Sequence, residues 1–339
     1  MKDIKDNRVI IIAEAGVNHN ASMEMARKMV VEAARAGADY VKFQTAVPEL
    51  VISSIAPKAE YQKETTGEGE SQLDMCRAIH LPLFAYPELA ALCKEEGIGF
   101  MSTPFDLVSI DALDSLDIDF WKIPSGEITN LPYLRKIARK GGRVILSTGM
   151  STIVEVSEAV DILTAGGIDR KDIFLLHCTT QYPTPYSDVN LLAMESLARL
   201  GVGGVGYSDH TLGIEVPVAA VALGARIIEK HFTLDKSLPG PDHKASLEPD
   251  ELAAMVKSIR HIEMALGSAE KRVTDSERPN IEVARKSIVA ARPISEGEIF
   301  TEENITVKRP GNGISPMEWD SVIGKMAKKD FPYDSLIEL

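Results

Sequence analysis

Short runs of apolar and β-branched residues alternate along the chain with longer stretches whose apolar positions recur at helical spacing. The runs at 9–13, 40–44, 98–102, 120–123, 143–147, 173–177, 203–207 and 226–231 read as strands. The stretches at 23–36, 86–96, 131–140, 153–165, 216–223 and 252–266 read as helices. Gly37 stands where the first helix should stop, a position that favours a residue free to adopt positive φ. Strands alternating with helices predict right-handed βαβ units and a parallel sheet. Eight strands within about 230 residues match an α/β fold of the (β/α)8 TIM-barrel type. An open doubly wound sheet is the alternative, but no Gly-x-Gly-x-x-Gly pattern follows the first strand.

Two segments break the alternation. Residues 51–82 form a long, polar insertion containing Thr66-Gly67-Glu68-Gly69-Glu70. Long loops after barrel strands sit at the active face, so this one is either functional or a solvated surface loop. Beyond 266 the texture changes to charged residues and then to short strands and turns without long helices. The expected organisation is a barrel over 1–268, a linker over 269–283 and a small domain over 284–339. That last piece, of about 55 residues, is near the lower limit for independent folding and is expected to lean on the barrel or on a second subunit.

Composition narrows the function classes. Hydrophobic residues are 45% and charged residues 26% of the 339, ordinary globular usage. No apolar run approaches the roughly 20 residues that span a bilayer, and the opening Met1-Lys2-Asp3-Ile4-Lys5-Asp6-Asn7-Arg8 lacks a signal peptide's apolar stretch. Three cysteines without framework spacing fit free thiols and a cytoplasmic location. Lys+Arg of 37 against Asp+Glu of 50 gives a net charge of −13 with no basic block, which argues against nucleic acid or an anionic membrane as partner. A local cationic pocket is still compatible with that total.

The chemistry gathers at the strand ends, where a parallel barrel places its active site. Glu14, Asn18 and His19 follow the first strand, and Lys42 and Gln44 close the second. Ser102 and Thr103 close the third; Lys122, Ser125 and Glu127 surround the end of the fourth. Ser147-Thr148-Gly149, His177-Cys178-Thr179-Thr180, Ser208-Asp209-His210 and His231 complete the series. One such residue is readily a satisfied core group. All eight strands delivering one points to a catalytic mouth, because unpaired buried polar groups are costly. His210 and His231, at the ends of neighbouring strands, suit an open divalent-metal site completed by water or substrate, or else a hydrogen-bonded pair or a general base. Lys42 and Lys122, among many hydroxyls, read as anion clamps or as Schiff-base lysines. Glu14 and Glu127 are either acid/base carboxylates or salt-bridge partners of those lysines.

As strings, these motifs resemble the bacterial sialic acid (N-acetylneuraminate) synthases along the full length. The strings are Ala13-Glu14-Ala15-Gly16-Val17-Asn18-His19-Asn20, Val41-Lys42-Phe43-Gln44-Thr45, Ser102-Thr103-Pro104-Phe105-Asp106, Lys122-Ile123-Pro124-Ser125-Gly126-Glu127, Leu146-Ser147-Thr148-Gly149-Met150, Tyr182-Pro183-Thr184-Pro185, Ser208-Asp209-His210-Thr211, Glu229-Lys230-His231-Phe232-Thr233, Pro239-Gly240-Pro241-Asp242-His243 and Lys308-Arg309-Pro310-Gly311-Asn312-Gly313. The resemblance implies a TIM barrel followed by a small antifreeze-like (SAF) domain. It implies a transferase that condenses phosphoenolpyruvate with N-acetylmannosamine and water, giving N-acetylneuraminate and phosphate. A divalent metal, Mn2+ in the first instance with Mg2+ or Co2+ as options, is implied on His210 and His231. Lys42, Thr103, Lys122, Ser125, Thr180 and Ser208 match the phosphoenolpyruvate shell. Gln44, Tyr182 and Asp242 match sugar contacts. Glu127 matches a carboxylate near the reacting enol and Glu14 one near the sugar oxygen. Arg309 matches an arginine that the partner subunit lends across a domain-swapped homodimer.

The neighbourhood Lys63-Glu64-Thr65-Thr66-Gly67 departs from relatives that carry an asparagine for the sugar. Legionaminic acid synthases, which use 2,4-diacetamido-2,4,6-trideoxymannose, share the pattern near Ser71-Gln72-Leu73. The strings Ala56-Pro57-Lys58-Ala59-Glu60-Tyr61-Gln62 and Ile314-Ser315-Pro316-Met317-Glu318-Trp319 look closest to N-acetylneuraminate synthases, so N-acetylmannosamine is the expected sugar. Two readings from other classes compete: a glycan- or ice-binding protein on an inactive barrel, and a Schiff-base sugar aldolase.

Overall fold

The computed structural model describes residues 8–67 and 69–339. The polar opening 1–7, read above as lacking a signal peptide's apolar stretch, lies outside these residues, as does Glu68 of the long insertion. The chain divides after Gly267 into two compact units.

The first unit is a (β/α)8 barrel. Its strands are β1 (Ile10–Gly16), β2 (Tyr40–Thr45), β3 (Gly99–Pro104), β4 (Phe120–Ile123), β5 (Arg143–Ser147), β6 (Ile173–His177), β7 (Gly204–Asp209) and β8 (Ile227–His231). All paired neighbours run parallel, in the order β3-β2-β1-β8-β7-β6-β5-β4, and β4 lies beside β3 to close the ring. The main helices are α1 (Met23–Arg35), α5 (Tyr86–Glu95), α6 (Leu107–Asp114), α7 (Leu131–Lys140), α8 (Ile153–Ala165), α9 (Ala193–Ala198), α10 (Glu215–Ala222) and α11 (Pro249–Leu266). Their starts are written in side chains. Ser22 caps α1 by accepting from Met25 N, and Thr152 with Glu155 forms a reciprocal box on α8. Gly37 follows α1 at φ +83°, as its position predicted.

Each strand alternates between two cores. Outward residues such as Ile11, Val41, Trp121 and Ile228 pack against the helices. Inward residues Ile10, Ile12, Tyr40, Met101, Phe120, Ile145, Phe174, Leu176 and Ile227 fill the barrel's lower half. Above this apolar plug, at the carboxyl ends, Glu14, Lys42, Thr103, Lys122, Ser208 and His231 bring buried polar side chains inward.

The insertion after β2 is folded rather than loose. It carries α2 (Pro48–Val51), α3 (Glu60–Thr66) and α4 (Gln72–Ile79). Its anchor is Lys58, whose buried ammonium donates to Thr66 Oγ1 and the Gly67 carbonyl at 3.0 Å each and to Glu70 at 3.1 Å. Among the described residues no helix is long and apolar enough to cross a membrane.

The second unit holds α12 (Arg278–Ala284), the antiparallel pair β9 (Ser287–Ala290) and β10 (Ile305–Lys308), and α13 (Trp319–Val322). Ile288, Ile294, Phe300, Val322 and Phe331 form its core. The expected linker over 269–283 is in part helix. Pro279 sits in the first turn of α12, where its missing N–H costs nothing, so a residue that reads as a breaker serves here as a start.

Candidate active site

Alternation along each strand decides what reaches the mouth. One rung above the apolar plug, Glu14, Lys42, Thr103, Lys122, Ser147, Ser208 and Glu229 turn inward, with His231 above Glu229. They floor a cavity of about 480 Å3, a size suited to a small ligand. Gln44, Ser125, Thr180, Tyr182, His210 and Asp242 of the expected set also line it.

The floor is a buried network of two cations and two anions. Lys42 Nζ lies 2.5 Å from Glu14 Oε2 and 3.7 Å from Glu229 Oε2. Lys122 Nζ lies 3.7 Å from Glu229 Oε1 and donates to Ser147 Oγ at 2.7 Å. Lys42 also donates to Thr103 Oγ1 at 3.0 Å, and Ser208 donates to Glu229 at 2.9 Å. Burial works against every one of these charges, so each depends on its partners. Glu14 is pushed up to about 7, chiefly by burial, with Glu229 adding to the rise and Lys42 opposing it. Burial favours the same rise at Glu229, but Lys122, Lys42 and Ser208 outweigh it and hold Glu229 below the usual range. Lys42 stays raised because Glu14 and Glu229 outweigh its burial, whereas burial pulls Lys122 down despite Glu229.

Beside the lysines the backbone comes close. Gly149 N donates to Ser125 Oγ at 2.9 Å. A Cβ on Gly149 would stand 2.6 Å from Thr180 Cγ2 and 2.9 Å from Ser125 Oγ, so only glycine lets these three segments meet.

His210 and His231 face each other with ring centroids 5.4 Å apart. His210 Nδ1 is 2.6 Å from the Thr179 carbonyl, which can only accept, so Nδ1 carries the proton and Nε2 keeps its lone pair. His231 Nδ1 is buried without a hydrogen-bond partner. Burial pulls His210 down to about 4 and His231 well below its ordinary value, leaving both neutral. Two neutral imidazoles, one fixed by a carbonyl and one with an orphaned nitrogen, fit a divalent cation. Among the described residues no cluster of three or more His, Cys, Asp or Glu completes such a site. The pair would therefore rely on water and substrate oxygens.

This arrangement can be set against known proteins. Residues 29–271 match the NeuB family and residues 285–338 the SAF domain. The chain belongs to the NeuB family. It is 52% identical to the N,N'-diacetyllegionaminic acid synthase of Campylobacter jejuni, across 97% of this chain and 99% of that one. The N,N'-diacetyllegionaminic acid synthase of Legionella pneumophila is 48% identical, across 93% and 89%. The crystal structure of an N-acetylneuraminic acid synthetase from Leptospira borgpetersenii is 35% identical, with a TM-score of 0.70 over 81% of this chain and 90% of that one.

In this NeuB-family chain one expected residue of the barrel, Glu127, is not among those lining the cavity. Glu127 stands on the turn that carries Ser125, but its half-buried carboxylate accepts from Asn130 Nδ2 at 2.5 Å. Asn130 is held in turn as the cap of α7, so the carboxylate is drawn to that helix's positive end. Arg309 belongs to the second unit, where its Nε donates to the Ala284 carbonyl at 3.0 Å. Conversely, Glu229 was legible and overlooked: two residues before His231 on one strand, it must share the inward face. The cavity's other wall comes from the insertion, through Val51, Ile52, Met75 and Ile79, and no periodic signal in that segment announced it.

Proposed function

We propose that this NeuB-family protein condenses phosphoenolpyruvate with 2,4-diacetamido-2,4,6-trideoxymannose and water, giving N,N'-diacetyllegionaminic acid and phosphate. The observation that carries the reading is the convergence of Lys42, Lys122, Glu14, Glu229, His210 and His231 on one cavity, in a chain 52% identical to a legionaminic acid synthase. The apolar wall of Val51, Ile52, Met75 and Ile79 suits a sugar with a C6 methyl and two acetyl groups better than one with a C6 hydroxyl. N-acetylmannosamine, which the sequence strings favoured, is the second reading, supported by the likeness to the Leptospira synthetase.

Lys42 and Lys122 hold the carboxylate and phosphate of phosphoenolpyruvate, with Thr103, Ser125, Thr180 and Ser208 as further donors. A divalent cation such as Mn2+ held by His210 and His231 would supply Lewis acidity to the sugar's aldehyde oxygen. Gln44, Tyr182 and Asp242 orient the open-chain sugar so that its aldehyde carbon meets C3 of the enol. As that C–C bond forms, positive charge develops at C2 of the enol. Water adds there and gives up a proton; phosphate leaves with its bridging oxygen by C–O cleavage. Glu14, inside the cavity, is placed to exchange a proton with the sugar oxygen. The lysines stay charged throughout and no Schiff base is needed. Arg309 of a second copy closes the site over the sugar, which makes a cytoplasmic homodimer the working unit.

The test is phosphate release with phosphoenolpyruvate and Mn2+ against the diacetamido sugar, N-acetylmannosamine and its 6-phosphate, with product mass. Preference for the diacetamido sugar is expected. Preference for N-acetylmannosamine selects the second reading, and pyruvate trapped on a lysine by borohydride sinks both.

A further inference from the structure

Two residues that this chemistry leaves idle stand back to back with the histidines. Asp209 and Lys230 are opposite one another in the β7/β8 register, each one residue before His210 and His231. Alternation turns them outward, away from the cavity, and both side chains are 0% exposed. Lys230 Nζ lies 2.5 Å from Asp209 Oδ2 and donates to the Thr211 carbonyl at 2.5 Å. Asp209 grips the same residue from the other side. Its Oδ1 accepts from Thr211 N and its Oδ2 from the Thr211 hydroxyl, each at 3.0 Å. His210 is thus the middle of a three-residue turn whose two flanks are both tied to Lys230.

A buried ion pair is a poor stabiliser, since desolvation of two charges offsets most of their attraction. An apolar pair of similar volume fills such a space as well or better. Directed bonds supply geometry instead. A cation held by two imidazoles has no third protein ligand to correct a misplaced ring, so the spacing of the two strand ends governs its affinity. We infer that Lys230, Asp209 and Thr211 form a positioning latch. It ties the end of β7 to β8 and so holds His210 at coordinating distance from His231. The inference rests on the reading of those histidines as the metal pair. Lys230 and Asp209 are positioning residues, and neither touches substrate.

The test measures Mn2+ binding to the full-length protein without substrates, by the electron paramagnetic resonance signal of free Mn2+. Thermal melts and calorimetric binding of phosphoenolpyruvate to the metal-free protein accompany it. Asp209→Leu combined with Lys230→Met exchanges the pair for apolar volume. The double variant should fold, bind phosphoenolpyruvate like wild type, and bind Mn2+ at least about tenfold more weakly. A merely structural role would move the melt and leave Mn2+ affinity alone, and wild-type Mn2+ affinity in the folded double variant overturns the latch. Should that variant not fold, Thr211→Val removes one bond on Asp209 and should weaken Mn2+ binding by about threefold. Unchanged affinity there overturns the latch equally. Wild-type protein that binds no Mn2+ at all sinks the metal reading and the latch together, an outcome distinct from loss in the variants alone.

Discussion

At the level of single residues, the buried network explains which substitutions should act on binding and which on stability. Glu229 stands between Lys42 and Lys122, 3.7 Å from each. Glu229→Gln leaves two buried ammonium groups sharing Glu14 alone. Breaking a buried pair costs about 3 kcal/mol, so the ligand-free melt should fall by roughly 6–12 °C. Phosphoenolpyruvate returns negative charge to the same place, so it should raise the variant's melting temperature more than that of wild type. An equal rise in both would show that the anion does not bind against these lysines. Lys122→Ala acts on the other side of the balance. Loss of a charge-assisted bond to a buried anion, about 1.5–3 kcal/mol, lowers kcat/KM for phosphoenolpyruvate roughly ten- to a hundredfold. Steady-state kinetics with unchanged kcat/KM would rule the lysine out of the anion site. Glu229 also shows what the sequence concealed. His231 stands out because it closes its strand, whereas Glu229 lies mid-strand, and only the period of two places it on the same face as His231.

At the level of elements, legibility followed the length and purity of the pattern. Strands β4, β5 and β6 and helices α7 and α8 have the bounds that their apolar periodicity predicts. Helices α6 and α9 escaped: α9, with 6 residues, is too short for a period to emerge, and only the cap Asp106, which accepts from Val108 and Ser109, marks α6. The insertion's helices were invisible for a different reason: they are held by Lys58 and by the cavity they cover, which are long-range facts. Glycines inside strands carry a further message that periodicity misses. On β7, a Cβ at Gly206 would stand 2.2 Å from the Ile227 carbonyl oxygen and 2.7 Å from Leu176 Cδ2. The carbonyl belongs to the neighbouring strand and cannot swing aside. Gly206→Ala therefore overpacks the barrel at a cost of about 1–3 kcal/mol. A melt within error of wild type would show that β7 and β8 slide apart more easily than their shared register suggests. Because Ser208 lies on the same strand and His210 directly follows it, turnover should fall alongside stability.

At the level of the whole molecule, the net charge of −13 and the proposed anionic substrate cease to conflict once position is considered. The floor of the cavity pairs Lys42 and Lys122 with Glu14 and Glu229, so its cations are gathered in one place together with their own buried counter-charges. Among the described residues the cavity lining includes no arginine. The proposed homodimer answers this with Arg309, carried on a unit of the right kind, an SAF domain whose residues 285–338 follow the barrel. The division of labour has a consequence that separates it from action within one chain. His231→Ala alone should lose nearly all turnover by removing half of the imidazole pair, and Arg309→Ala alone should weaken use of the sugar. Unfolded together and refolded, the two variants form hybrid dimers in about half of the pairs, and each hybrid holds one barrel with His231 facing an intact Arg309 from the other chain. Activity should return to roughly a quarter of the wild-type value. An arginine acting within its own chain gives no such site in any pairing, so a mixture no more active than the sum of its parts would place Arg309 outside the partner's active site.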